Sequence, residues 1–285
     1  MQIEDVKTVG VVGCGQMGAG IVESFARAGY AVITREVDQG WLDKGLKRLN
    51  GSLAKGVERG KLTAEERDAV LGRVRGTVDL EELAPCDLVI EAIVENAEAK
   101  REVFATLDRV CAPAAILASN TSSLNITALG AATQRPDKVF GLHFFNPVPV
   151  MPLIEIVRAL LTSDETMAFG QALGPKLKKQ IVIAKDRPGF IVNLLFVPYM
   201  LDAIRAYDNG VATKEDIDTA IKLGLNHPMG PLTLADFVGL DTILFIADAM
   251  YEEFKDARYA APPLLRRMIH AGLYGRKTGR GFYQY

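Results

Sequence analysis

The sequence predicts an α/β fold, in which a mostly parallel sheet domain is followed by a smaller all-α domain. Three observations support this prediction. Residues 7–35 have the pattern of a strand, a glycine-rich turn, a helix and a second strand. Further strand signals alternate with helical ones as far as residue 184, and only helical periodicity follows the segment DRPGF at residues 186–190. Alternating strands and helices are typical of a parallel sheet with helices on its faces.

The strand predictions depend on short apolar runs bounded by turn residues. We predict strands at residues 7–12, 31–35, 74–78, 87–92, 115–118, 139–143, 153–158 and 181–184. The first helix has apolar residues on one face and ends at Gly29, a residue type that commonly stops helices. A further helix is predicted at residues 96–110.

Two domains are expected, and the Pro and Gly of DRPGF predict the break between them. The first spans residues 1–186 and contains a helical insertion at about 38–71, where the sequence is charged, periodic and free of strand signals. The second spans residues 187–285 and contains an apolar helix at 190–207, which other apolar groups must cover.

Composition excludes several classes of function. The 285 residues carry a net charge of −2, which provides no basic excess for binding nucleic acid. The longest apolar run, residues 190–201, is too short to span a bilayer, and the N-terminus resembles no targeting peptide. The cysteines are odd in number and lack C-x-x-C spacing, which predicts reduced thiols. We therefore expect a cytoplasmic protein without a nucleic-acid, membrane or metal partner.

The glycine-rich turn has the pattern G-x-G-x-x-G, with glycines at Gly13, Gly15 and Gly18 and with Gln16 and Met17 before the last. Because it follows a strand and opens a helix, it has the context of a Rossmann-type dinucleotide-binding turn. There the first glycine permits the tight bend, the second lets the backbone approach a pyrophosphate, and the third lets helix pack on strand. The N–H groups at the helix N-terminus then face the phosphates.

Glu36 ends the second predicted strand, 23 residues after Gly13, near the position of the acid that hydrogen-bonds the adenosine ribose in such folds. A carboxylate at this position repels a 2′-phosphate and therefore favours NAD. Arg35 keeps NADP open as an alternative, because a guanidinium binds that phosphate.

The segment GLHFFNPVPVMPLIEIV at residues 141–157 places one carboxylate, Glu155, inside an apolar strand, where it needs a partner. The prolines of the segment require a turn. If the flanking strands pair in antiparallel fashion about Pro149, His143 and Glu155 face each other. A carboxylate on one ring nitrogen fixes the tautomer and stabilises the imidazolium, as a general base for an alcohol requires. The alternative is a structural histidine in the core.

Asn120 and Ser122 follow the strand predicted at residues 115–118, at the carboxyl edge of the sheet, where ligands bind. A hydroxyl at that edge stabilises a developing oxyanion. Alternatively, Ser122 caps the N-terminus of a following helix.

Several longer motifs resemble the L-3-hydroxyacyl-CoA dehydrogenase family, most closely its single-function bacterial 3-hydroxybutyryl-CoA dehydrogenases, along nearly the whole chain. The motifs are VVGCGQMGAGI, DLVIEAIVEN, LASNTSSL, GLHFFNPVPVM, DRPGFIVN, KEDIDTAIKLG with HPMGP, and the terminal GRKTGRGFY. The resemblance implies an NAD-dependent oxidoreductase that interconverts a (3S)-3-hydroxyacyl-CoA and its 3-oxoacyl-CoA. It also implies a homodimer formed by the helical domains.

Roles for individual residues follow from the same resemblance. It implies that His143 is the catalytic base and Glu155 its orienting partner. It implies that Ser122 contacts the substrate's 3-oxygen and that Asn193 stabilises the substrate oxygen and the thioester enolate. Cofactor contacts are implied for Glu95, Lys100, Asn120 and Asn146, and contacts with CoA for Ser52, Lys55 and Arg59 on the inserted helices.

The sequence departs from the family pattern at three positions. Leu194 follows Asn193 where arginine is common, Glu36 stands in place of a common aspartate, and Arg59 in place of a common lysine. No proposed catalytic group is lost. Two other functions stay open: a β-hydroxyacid dehydrogenase acting on free acids, which relies on a lysine, and a non-catalytic dinucleotide-binding relative.

Overall fold

The computed structural model describes all 285 residues of the chain. The chain divides into two compact units, Met1–Arg187 (unit 1) and Pro188–Tyr285 (unit 2). Unit 1 contains an eight-stranded sheet with helices, and unit 2 is helical throughout. The predicted fold class is confirmed.

All eight strands belong to unit 1. They are β1 (Thr8–Val12), β2 (Ala31–Arg35), β3 (Val74–Thr77), β4 (Leu88–Glu91), β5 (Ile116–Ser119), β6 (Val139–Phe144), β7 (Leu153–Arg158) and β8 (Gln180–Lys185). The helices of unit 1 are α1 (Gln16–Arg27), α2 (Gln39–Glu58), α3 (Ala64–Leu71), α4 (Ala97–Val110), α5 (Ile126–Gly130) and α6 (Asp164–Leu177). Those of unit 2 are α7 (Val192–Asp208), α8 (Lys214–Gly224), α9 (Pro231–Val238), α10 (Leu240–Phe254) and α11 (Pro263–His270).

The strands form one sheet in the order β3-β2-β1-β4-β5-β6-β7-β8. Neighbouring strands from β3 to β6 are parallel, β7 runs antiparallel to β6, and β8 runs parallel to β7. The carboxyl ends of β1 to β6 therefore share one edge. At that edge the order reverses between β1 and β4, and open α/β sheets bind ligands at such a switch point.

The strands of unit 1 are nearly continuous apolar runs because the sheet is buried on both faces. Every residue of β4, β5 and β6 is buried, including successive residues that point to opposite faces. Phe25 of α1 is fully buried and packs into the same core as β1 and β6. This packing holds the strand ends, and the side chains on them, in fixed positions.

The apolar helix predicted at residues 190–207 begins later, at Val192. Gly189 and Phe190 have φ angles of 82° and 49°, and this left-handed conformation cannot continue into a right-handed helix. Within unit 2, α7 buries Val197, Met200 and other side chains in a core shared with α9, α10 and α11. Most of its apolar surface is therefore covered by its own unit.

The end of the chain is tied to unit 2 by two buried aspartates. Asp236 accepts hydrogen bonds from the backbone N–H groups of Phe282 (2.9 Å) and Tyr283 (2.8 Å). Asp218 accepts from the backbone N–H of Leu232 at 2.7 Å and from the Tyr283 hydroxyl at 2.9 Å. Burial raises the pKa of Asp236 above its ordinary value. The terminal segment is thus an integral part of the unit.

No helix combines the length and the apolar character that crossing a membrane requires.

The three cysteines, Cys14, Cys86 and Cys111, are free and buried. Burial raises the pKa of the Cys86 thiol to about 12 and that of Cys111 to about 11, so both are weak nucleophiles at neutral pH.

Asp186, just after β8, stabilises the start of α5. Its carboxylate accepts hydrogen bonds from the backbone N–H groups of Ile126 (2.9 Å) and Thr127 (2.7 Å) and from the Thr127 hydroxyl (2.7 Å). The first N–H groups of a helix have no partner within the helix, so this aspartate satisfies two of them. It joins α5 to the far edge of the sheet.

We expect Asp186→Ala to lower the free energy of unfolding by about 2 kcal/mol, because an unsatisfied donor costs roughly 1–3 kcal/mol and water compensates part of that cost. Urea unfolding followed by circular dichroism measures the change. Asp164→Ala is the matched control: its side chain is 86% exposed and pairs with Arg158 on the surface. That pair contributes at most about 1 kcal/mol. Equal losses for the two variants would contradict the role of Asp186.

Candidate active site

His143 and Glu155 form a buried pair on neighbouring strands. They face each other in the antiparallel register of β6 and β7, and His143 Nδ1 lies 2.7 Å from Glu155 Oε2. His143 is 4% exposed and Glu155 is fully buried. The predicted cross-strand pair is confirmed, and it explains how an acid is accommodated inside an apolar strand: the imidazole satisfies it.

The hydrogen bond with Glu155 determines the tautomer of His143. The carboxylate oxygen is the acceptor of this bond, so Nδ1 carries the proton and Nε2 is the basic nitrogen of the neutral ring. Nε2 lies 3.1 Å from the Ser122 hydroxyl oxygen. The Phe145 ring meets the imidazole edge-on, with ring centroids 4.7 Å apart, and further restricts its orientation. The ring therefore presents a basic nitrogen beside a hydroxyl.

Ser122 is held by its backbone and not by a helix. Its N–H donates to Glu95 Oε1 at 3.1 Å, and the hydroxyls of Thr121 and Ser123 donate to the same oxygen. The N-cap of α5 is Asn125, which accepts from the N–H of Ala128. The alternative that Ser122 caps the following helix is wrong, and its hydroxyl is free to face His143.

Glu95 is itself fixed by a buried lysine. Lys100, on α4, is 1% exposed and lies 2.6 Å from Glu91 Oε1 and 3.1 Å from Glu95 Oε2. Burial alone would raise the pKa of Glu95, but the Lys100 ammonium and the hydrogen bonds from Thr121, Lys100 and Ser122 outweigh it. The pKa of Glu95 therefore lies below its ordinary value, and the carboxylate is ionised at neutral pH.

The glycine-rich turn has the geometry that a pyrophosphate needs. Gly13 has a φ of 96°, and a Cβ there would meet the backbone oxygen of Ala92 at 2.5 Å. A Cβ on Gly18 would lie 1.8 Å from the backbone oxygen of Gly13, so only glycine lets α1 approach the turn. Around Gly15 there is open space. No side chain caps the N-terminus of α1, which leaves its N–H groups available at Gln16 and Met17.

A cavity of about 670 Å³ adjoins this turn, and we name it the turn cavity. Gly13, Gly15, Glu36 and residues of the β4–α4 connection line it. Glu36 accepts from the N–H of Cys14 at 2.6 Å and from the N–H of Val37 at 3.1 Å, so its carboxylate is fixed at the cavity wall. These residues fit a dinucleotide: open backbone for the pyrophosphate and an acceptor for ribose hydroxyls.

Arg35 also lines the turn cavity, but its guanidinium Nε donates to the backbone oxygen of Val78 at 3.1 Å. The guanidinium is therefore partly engaged by the residue that follows β3. Both carboxylate oxygens of Glu36, in contrast, accept from backbone N–H groups beside the cavity. The cavity is therefore lined by a fixed carboxylate and by an arginine that is partly engaged elsewhere.

A second cavity, of about 850 Å³, lies between α1, α2 and the β6–β7 turn, and we name it the cationic cavity. Ser52, Lys55 and Arg59 line it, together with Gln16 and Asn146. Three further cations that sequence reasoning missed also line it, namely Arg27, Arg48 and Lys61. The cluster could not be recognised from sequence, because its cations come from three segments that meet only where α1 packs beside α2.

The β6–β7 turn forms one wall of the cationic cavity and is fixed by Lys179. The ammonium donates to the backbone oxygens of Val148 at 2.7 Å and Met151 at 2.6 Å. Burial and the nearby Arg27 charge lower the pKa of Lys179. On the other side, Gly20 of α1 packs so closely on Val148 that a Cβ would approach it to 2.8 Å. The wall is therefore held from both sides.

The remaining predicted residues are dispersed. Asn120 is buried and its side-chain oxygen accepts from the N–H of Phe144 at 2.9 Å, which joins the ends of β5 and β6. Asn193 belongs to unit 2, in the first turn of α7. Direct cofactor contacts for Glu95, Lys100, Asn120 and Asn146, and the role of Asn193, stay predictions. No group of three or more His, Cys, Asp or Glu side chains is arranged to hold a metal ion.

Sequence reasoning also missed Glu91, which is fully buried at the end of β4. Its signal was present: like Glu155, it is an acid inside an apolar run, LVIEAI. The need of a buried carboxylate for a partner would have singled out Glu91. Its partner Lys100 could not be identified in this way, because it lies on a helix and no strand register pairs it with Glu91.

Comparison with known proteins agrees with this geometry. Residues 8–187 match the family described as "3-hydroxyacyl-CoA dehydrogenase, NAD binding domain", and residues 189–285 match "3-hydroxyacyl-CoA dehydrogenase, C-terminal domain". A 3-hydroxybutyryl-CoA dehydrogenase of Mycobacterium tuberculosis (strain H37Rv) is 52% identical over 282 residues, which cover 98% of this chain and 99% of that protein.

Two crystal structures are also closely similar. M. tuberculosis FadB2 superposes with a TM-score of 0.96 at 52% identity and covers 98% of this chain and 99% of its own. (S)-3-hydroxybutyryl-CoA dehydrogenase PaaH1 from Ralstonia eutropha superposes with a TM-score of 0.94 at 42% identity and covers 99% of each chain. On both the sequence matches and these structures, the chain belongs to the 3-hydroxyacyl-CoA dehydrogenase family.

Proposed function

We propose that this chain is an NAD-dependent dehydrogenase that interconverts (3S)-3-hydroxybutyryl-CoA and acetoacetyl-CoA. The observation that carries the proposal is the His143–Glu155 pair, with Ser122 beside it, on the same sheet edge as the glycine-rich turn. The choice of the four-carbon substrate comes from the relatives, which are named 3-hydroxybutyryl-CoA dehydrogenases.

The chain's own residues supply acid–base chemistry to the reaction. The turn cavity would hold NAD, which would supply the acceptor for the hydride of the alcohol carbon. His143 Nε2 takes the proton of the 3-hydroxyl during oxidation and gives it back during reduction. Glu155 stabilises the imidazolium that forms and keeps the ring in place. The Ser122 hydroxyl hydrogen-bonds the same 3-oxygen and stabilises the negative charge that develops there.

The cationic cavity suits the CoA part of the substrate. CoA carries a diphosphate and a 3′-phosphate, and five basic side chains line this cavity, Arg27, Arg48, Lys55, Arg59 and Lys61. Such side chains bind phosphates by charge-assisted hydrogen bonds. Asn146 lines the same cavity three residues after His143, so a ligand there extends towards the catalytic pair.

A homodimer through unit 2 is the assembly we favour. Although α7 is mostly covered within its unit, large apolar side chains stay exposed on unit 2, among them Leu195 (65%), Leu223 (75%) and Phe245 (49%). Exposed apolar surface of this kind is typical of protein–protein contacts.

The three free thiols agree with a reducing compartment such as the cytoplasm.

The first prediction from this function concerns the base. With acetoacetyl-CoA, NADH oxidation followed at 340 nm should be rapid in the wild type, and His143→Gln should lower kcat by about 1,000-fold, because the proton donor is lost. His270→Gln, the same substitution on an exposed residue at the end of α11, should leave kcat unchanged. A wild type that binds NADH but turns over no acyl-CoA would support the alternative of a non-catalytic dinucleotide-binding relative.

The second concerns CoA. We expect Lys55→Met combined with Arg59→Met to raise the KM for acetoacetyl-CoA by about tenfold, because both side chains are exposed and an exposed ion pair contributes at most about 1 kcal/mol. The KM for acetoacetyl-N-acetylcysteamine, a thioester without phosphates, should not change. Lys47→Met, at an exposed lysine of α2 outside the cavity lining, is the matched control. Equal effects on both thioesters would place CoA elsewhere.

The third concerns the choice between NAD and NADP. Glu36→Gln keeps an oxygen for the N–H of Cys14 but removes the charge that repels a 2′-phosphate. It should narrow the preference for NADH over NADPH, measured as a ratio of kcat/KM values, by about tenfold. Arg35→Met should leave NADH kinetics unaltered. If the wild type prefers NADPH and Arg35→Met removes that preference, the arginine decides the cofactor.

A further inference from the structure

Glu91 is a fully buried carboxylate with a complete set of donors. It accepts hydrogen bonds from the N–H of Ile93 at 2.7 Å, from the Lys100 ammonium at 2.6 Å and from the Ser119 hydroxyl at 2.6 Å. In the sheet it lies between Val12, the residue before the glycine-rich turn, and Ser119, the last residue of β5. The carboxylate is therefore at the centre of the carboxyl edge.

One route of hydrogen bonds leads from Glu91 to the Ser122 segment through Ser119. The Ser119 hydroxyl donates to Glu91 and accepts from the N–H of Thr121 at 3.2 Å. Thr121 in turn uses its hydroxyl oxygen to accept from the N–H of Leu124 at 2.9 Å. The Ser119 hydroxyl, which donates to Glu91, thus also orients the turn that contains Ser122.

A second route leads through Lys100 and Glu95. Lys100 Nζ bridges Glu91 and Glu95, and Glu95 Oε1 accepts from the N–H of Ser122. Both routes therefore end on residues 121–124, and the hydroxyl of Ser122 lies 3.1 Å from His143 Nε2. Glu91 is the residue at which the two routes meet.

Stability alone does not account for this arrangement. A buried ion pair gains little compared with apolar groups of the same volume, because both charges lose their hydration. Here Lys100 Nζ lies within hydrogen-bond reach of both Glu91 and Glu95, at the carboxyl edge of the sheet. These contacts orient residues 121–124, because the hydrogen bonds from Ser119 and Glu95 to this segment restrict its conformation.

We propose that Glu91 is a positioning residue for the reaction, which fixes Ser122 relative to His143 through Ser119 on one side and through Lys100 and Glu95 on the other. The proposal rests on the proposed function, because it assigns Glu91 an effect on the step in which Ser122 and His143 share the substrate's 3-oxygen. Glu91 itself touches neither substrate nor the reacting atoms.

A double-mutant cycle tests this proposal. We expect Glu91→Gln to lower kcat with acetoacetyl-CoA by about tenfold, because a displacement of a reacting group by a fraction of an ångström carries a cost of this order. The KM values for acetoacetyl-CoA and NADH should change by less than about threefold. In a Ser122→Ala background, where the positioned hydroxyl is absent, the same Glu91→Gln substitution should leave kcat nearly unchanged.

The controls separate positioning from folding and from cofactor binding. Glu98→Gln changes an exposed acid of α4, whose side chain is 67% exposed, and should have no effect on kcat. Ser119→Ala cuts one route only and should give a smaller loss of kcat, again abolished by Ser122→Ala. If Glu91→Gln does not fold, this variant carries the test alone.

Two outcomes would overturn the proposal. Equal losses of kcat with and without Ser122 would show that Glu91 acts independently of that hydroxyl. A rise in the KM for NADH at constant kcat would show that it acts on the cofactor through Ile93. Failure of the proposed function is distinct from both, because the wild type would then have no activity with acetoacetyl-CoA.

Discussion

The antiparallel pairing of β7 with β6 is the constraint on which the rest of the site depends. In a fully parallel sheet the strand after β6 would return by a helix, and no turn between the two strands would set which of its residues faces His143. The tight, proline-rich reversal instead sets a register in which an acid faces the imidazole. That single pairing buries Glu155, selects the tautomer of His143 and shapes the wall of the cationic cavity.

Charge distinguishes the two cavities that we propose for two chemically similar nucleotide ligands. NAD and CoA both contain an adenosine and a diphosphate, so shape alone separates them poorly. The turn cavity offers backbone N–H groups and the carboxylate of Glu36, which suit a diphosphate with a free ribose. The cationic cavity offers side-chain cations, which suit the additional 3′-phosphate of CoA. In the proposed function, the carboxylate of Glu36 therefore disfavours the additional phosphate of CoA in the turn cavity.

Features governed by local rules could be predicted from sequence. The glycine-rich turn and the His143–Glu155 pair follow from periodicity and from the turn that prolines require. Features that join distant segments could not. Lys100 reads as a charged helix residue, and only packing shows that it is buried between two acids. The late start of α7 depends on the backbone angle of Phe190, which composition does not reveal.

The burial of Lys100 has a practical consequence for following motions of the active site. Its side chain is 1% exposed and its ammonium is held by two carboxylates, so an amine-reactive reagent that labels surface lysines has no access to it in the folded structure. Modification at this position would need the β4–α4 connection to open first. The lysine is therefore a native reporter, readable by mass spectrometry, of how often this part of the enzyme opens locally and how far bound ligands suppress that opening.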